Sequence, residues 1–258
     1  MWTLFKKNTK LGNNTCFTLF VLNNISLFSE GSMQILTSTA TFLFSAVDNI
    51  ESQKEKIKEL VHQEFPNFRF ISIPDEMPLE IPRFIARSHH GFSSISISPN
   101  MLQFTTNFNK DFSSNWKGKC EAYITDKTNY LFPCINYLSS NILYCGLTTR
   151  IQANASSSLL LKKYIQKKII SNISLNTINV QESYVFEDTL FLNIQFQNNV
   201  RDNSSPLDII VDVNDRYSAN TIPLYKSNFN VFKRIKEISS NILENKLIDL
   251  INKGDFTL

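Results

Sequence analysis

The stretch FSSISISPNMLQFTT, residues 92–106, decides the fold. Ser94 and Ser96 alternate with Ile95 and Ile97, the period-2 pattern of a strand with one buried face. Pro99-Asn100 carries turn chemistry, and Leu102 to Thr106 resumes the alternation. The stretch therefore predicts an antiparallel hairpin. A sheet with one apolar face needs a cover, and the flanking sequence supplies helices on both sides.

Downstream, Trp116, Cys120, Tyr123, Ile124 and Leu131 share one face of a helix expected over about 113–131, with Pro133 limiting its end. Upstream, residues 83–88 read as a short strand. Pro74, Pro78 and Pro82 make 74–82 a loop or edge, and 68–73 alternates as a strand. Before that lies a helix carrying Ile50, Ile57, Leu60, Val61 and Phe65, with Asp48 as its expected cap and Glu51 at capping-box spacing. Residues 35–46 are rich in β-formers and read as the first strong strand.

The second half repeats this order. A strand is expected over 141–153 and a helix over 157–170. Strands follow at 177–186, 189–197 and 207–214, and a helix over 228–252 is stopped by Lys253-Gly254. The fold class is α+β: tandem strand-helix-meander-helix units forming a curved antiparallel sheet covered by helices. That is the arrangement of the TATA-binding protein and of helix-grip folds. The expected organisation is an N-terminal appendage over 1–32, a first unit over 33–138 and a second over 139–258. The appendage reading rests on the linker-like run Ser29 to Ser32 and on the absence of a clear period; the competing reading is an edge strand over Phe17 to Phe28.

Three phrases resemble a sporadically distributed family of uncharacterised bacterial proteins. They are residues 92–108 followed by Trp116, residues 144–151 (YCGLTTRI) and residues 207–214 (LDIIVDVN). The likeness spans about residues 34–252. It implies no activity and no catalytic residues, and the patchy occurrence of that family implies accessory, mobile-element or defence genes.

Composition narrows the chemistry by exclusion. The 258 residues hold only 6 glycines, with no cluster to cradle a phosphate, so Walker-type and Rossmann-type nucleotide sites are excluded. Net charge is +3, too small to argue for nucleic acid alone. Cys16, Cys120, Cys134 and Cys145 lack zinc-ligand spacing, so no metal or other cofactor is expected, and a reducing cytoplasm fits them best. No apolar run reaches the roughly 18–20 residues of a membrane helix.

Three clusters remain as candidate sites. Asp208, Asp212 and Asn214 are spaced by even numbers, so a strand aims them at one face. That face is either a solvated surface or a seat for a magnesium ion in a nuclease. Arg83, Arg87 and His89, with His90 beside it, read as anion contacts or as a polar loop or strand edge; on a strand the two histidines would point to opposite faces. Lys163 and Lys167 align on the helix expected there, facing phosphate, an acidic partner or water. The expected function is a non-catalytic binding or accessory protein working through protein partners. The alternative is a nucleic-acid-binding protein or a metal-dependent nuclease using Asp208 and Asp212.

Overall fold

A computed structural model describes residues 33–74, 76–109, 116–153, 177–186, 190–199, 206–215, 228–247 and 249. The expected appendage over 1–32, the helix over 157–170 with Lys163 and Lys167, and the Lys253-Gly254 stop lie outside the described residues.

The chain enters with β1 (Met33–Phe44), a 3₁₀ turn (Ile50–Gln53) and α1 (Lys54–Val61). A meander follows: β2 (Asn67–Phe70), β3 (Phe84–Arg87), β4 (Ser93–Ser98) and β5 (Met101–Asn107). A π-helical turn (Trp116–Glu121) runs into α2 (Ala122–Leu138). The second half contributes β6 (Ile142–Ala153), β7 (Thr177–Phe186), β8 (Leu190–Asn199) and β9 (Leu207–Asn214). Last comes α3 (Phe229–Asn241), which passes into a second π-helical turn (Ile242–Lys246).

All nine described strands join one open antiparallel sheet in the order β2-β3-β4-β5-β1-β6-β9-β8-β7. The first strand of each half stands at the centre, and the two pair antiparallel from Met33–Ala153 to Phe44–Ile142. This is the continuous helix-covered sheet that the alternating strands predict. A bulge in β1 between Ile35 and Thr37 resets the alternation, so that both Ile35 and Ser38 face the core.

The described helices pack on one face. Phe42 of β1, fully buried, lies 4.8 Å from Phe232 of α3 and 6.1 Å from Phe132 of α2, ring to ring. Phe132 in turn meets Phe229 edge-on at 4.6 Å. The helices that close the two halves thus share one aromatic cluster over the central strands. Phe42 and Phe232 are fully buried, and burying each of these two rings contributes about 1.5–3 kcal/mol.

Two local expectations shift. The cap of the first helical turn is Asn49, not Asp48: its side chain accepts from the Ser52 amide at 3.2 Å, and its φ of 47° lies in the left-handed region that asparagine tolerates. Pro133 does not end its helix. It sits on the exposed side of α2, and burial of Cys134, Ile135 and Leu138 carries the helix past the missing amide. His89 and His90 occupy a turn, the loop alternative of the sequence reading, closed by Gly91 N–H donating to Ser88 C=O at 3.0 Å with Gly91 at φ 70°.

Candidate functional site

The second face of the sheet is lined mostly by polar side chains, with Ile85, Phe191 and Ile210 among them. Strand registers bring one residue from each strand into a single transverse row. From the β2 edge it runs Asn67, Arg87, Ser94, Thr105 and Thr39, and beyond the centre Thr148, Asp212, Asn193 and Ser183. Every member is polar, and only Arg87 and Asp212 are charged. At about 4.8 Å per strand the row spans roughly 38 Å. Hydroxyls couple the middle of it, with Thr39 Oγ1 3.1 Å from Thr105 Oγ1.

Asp212 accepts three side-chain hydrogen bonds on this face. Its carboxylate accepts from Thr148 Oγ1 at 2.8 Å, Asn193 Nδ2 at 3.0 Å and Asn214 Nδ2 at 2.7 Å. Thr148 and Asn193 stand directly opposite it on the neighbouring strands, so register alone delivers these donors. Asp208 accepts from Gln152 Nε2 at 3.0 Å and pairs with Arg150 Nη2 at 3.2 Å. Asn214 is only 4% exposed. The Tyr144 ring lies across Gly146 beside it: a β-carbon at 146 would stand 2.5 Å from the Tyr144 hydroxyl and 3.1 Å from the Asn214 β-carbon.

The structure thus keeps Asp208, Asp212 and Asn214 on one face, with Ile209, Val211 and Val213 buried on the other. Four residues along a strand separate the two carboxylates by roughly 13 Å, too far to share one ion. Among the described residues no cluster of three or more His, Cys, Asp or Glu is placed to hold a metal. No described helix is long and apolar enough to cross a membrane.

The arginine–histidine cluster separates. Arg83 is 4% exposed, and its guanidinium donates to the Ile81 carbonyl at 3.0 Å and the Pro74 carbonyl at 3.5 Å, tying down the proline-rich loop. Arg87 lies exposed on the polar face. His89 stands at the turn, its Nε2 3.3 Å from the Gln63 carbonyl. Arg69, Thr148, Arg150, Gln152 and Asn193 belong to the face but were not singled out by sequence. Their signal was the period-2 alternation in residues 68–73, 144–152 and 191–197.

No protein-family model matches the chain, and no curated protein does.

Proposed function

We propose that the protein is a non-catalytic binding protein that engages a protein partner through the open face of its sheet. The supporting observation is the nine-strand polar row, uncharged along most of its length, with Arg87 towards one end and Asp212 towards the other. Five strand steps put these two charges roughly 24 Å apart, well beyond a Debye length of about 8 Å. Each therefore presents its own sign to a ligand. A protein surface can carry matching opposite charges at that spacing. A nucleic acid is uniformly negative and would meet Asp208 and Asp212 as well as the arginines. The carboxylates themselves are engaged by hydroxyl, amide and guanidinium donors, which suits a shaped recognition surface.

The test is affinity capture from source cells with wild-type protein and a Thr39→Arg variant, which plants a large charged side chain at the centre of the row. A protein retained by the wild type and lost by the variant is the expected result. Equal capture by both refutes the face as the binding surface, and recovery of nucleic acid in place of protein supports the nucleic-acid reading.

A further inference from the structure

One end of this face carries a second surface, the edge of β2 that no described strand covers. Ile71 N–H donates to Arg83 C=O at 2.7 Å, so the bonded pairs of the β2–β3 ladder fall at Asn67, Arg69 and Ile71. The backbone groups of Phe68 and Phe70 then point away from β3. Phe68 N–H turns back to Pro66 C=O at 3.2 Å, which leaves the Phe68 carbonyl and both backbone groups of Phe70 along the edge. No strand among the described residues pairs there.

Cations flank that edge on both sides. On the open face, Arg69 opposes Ile85 and Arg87 opposes Asn67, which makes the two arginines diagonal neighbours. Both are exposed, and no described carboxylate lies within 4 Å of either. On the helix face, Lys58 Nζ stands 4.5 Å over the Phe68 ring and Lys54 Nζ 6.0 Å from the Phe70 ring. Lys58 has a distant acid of its own in Glu55, at 4.0 Å. A second copy of the chain is a poor occupant, because edge-to-edge pairing would oppose these like charges.

We propose that the β2 edge accepts an extended acidic segment of a protein partner by strand addition. Backbone bonds go to Phe68 and Phe70. Alternate side chains of the incoming strand put carboxylates against Arg69 and Arg87, and the intervening ones lie on the phenylalanine rings beneath the lysines. This places an acidic strand at the cationic end of the face and rests on the reading of that face as partner-binding.

The experiment titrates the full-length protein into a fluorescein-labelled, end-blocked hexapeptide of alternating Glu and Val, followed by fluorescence polarisation. Two further peptides carry N-methyl groups on one or the other alternate set of amides, and a thymidine hexanucleotide serves as the competing polyanion. Saturable peptide binding is expected, weakened tenfold or more by Arg69→Glu with Arg87→Glu and lost in at least one methylated peptide. No binding by the parent peptide, full binding by both methylated peptides, or equal binding of the hexanucleotide would each overturn the proposal. The Thr39→Arg variant should bind the peptide normally. Peptide failure beside a normal capture result therefore sinks the edge alone, and the reverse outcome sinks the open-face reading alone.

Discussion

Asp212 stands directly between Thr148 of β6 and Asn193 of β8, and both donate to its carboxylate across the strand ladders, at 2.8 and 3.0 Å. A carboxylate held by hydroxyl and amide donors meets the N–H and O–H hydrogens of its neighbours, and a cation would have to displace them. Asp212→Ala is expected to cost about 1.5–3 kcal/mol, the range for hydrogen bonds to a charged group. Urea denaturation measures this. Millimolar magnesium should shift the wild-type Tm by less than about 1 °C. A larger magnesium-dependent rise, lost in Asp212→Ala, would support the metal-dependent reading.

Pro133 interrupts the hydrogen-bond ladder of α2 on its exposed side. Pro133→Ala restores an amide that can donate to the Asn129 carbonyl. It also returns about 0.4–1 kcal/mol of entropy to the unfolded chain. The gain from removing a mid-helix proline, of order 3 kcal/mol, is larger. The variant is expected to be more stable by about 2–2.6 kcal/mol, read as a higher Tm. A lower Tm would mean that the packing of Cys134 and Ile135 depends on the proline.

Lys236 of α3 is 5% exposed and donates to Thr125 Oγ1 of α2 at 3.1 Å. Burial pushes its ammonium below the ordinary lysine value, with Glu121 and Glu237 opposing the shift and Lys233 adding to it. The unfolded chain therefore binds more protons between the depressed folded value and about 10.4, and stability rises with pH across that window. Below the folded value the penalty is fully present. Lys236→Met is expected to exceed the wild type in stability at neutral pH, with the difference narrowing towards about pH 10. Urea midpoints at both ends of the range test this; a difference that widens with pH would contradict it.

Cys120 and Cys134 are fully buried, and burial pushes both thiols up to about 12, with Lys119 opposing the shift at Cys120. The thiolate is the reactive species, so iodoacetamide at about pH 8 should label neither in the native protein and both in urea. Peptide-level mass spectrometry reads the outcome. Labelling of Cys120 in the native state would show that the turn leading into α2 opens.

The strands were legible because period-2 alternation survives in a sheet with one wet face. Residues 92–106 and 207–214 fold as their patterns predict. Punctuation was less legible. Asp48 and Asn49 are both good cap formers, and only the left-handed backbone at Asn49 decides between them. Pro133 reads as a stop until the buried Cys134, Ile135 and Leu138 are seen to hold the next turn. Of the candidate site, the even spacing of Asp208, Asp212 and Asn214 was visible along the chain. Their donors were not, because Thr148 and Asn193 reach Asp212 only through the register of strands far apart in sequence. Arg83 and Arg87 looked equivalent four residues apart, yet burial gives the first to a loop and leaves the second on the surface.

The most direct measurement of the central claim is calorimetric titration of the captured partner into wild-type protein and three charge-reversal variants. Arg87→Glu and Asp212→Lys alter opposite ends of the row, and Lys56→Glu alters an exposed lysine of α1 on the helix side. Each of the first two is expected to weaken binding tenfold or more, about 1.4 kcal/mol, with Lys56→Glu unchanged. Equal affinity across all four proteins, or loss confined to Lys56→Glu, would contradict binding through the open face.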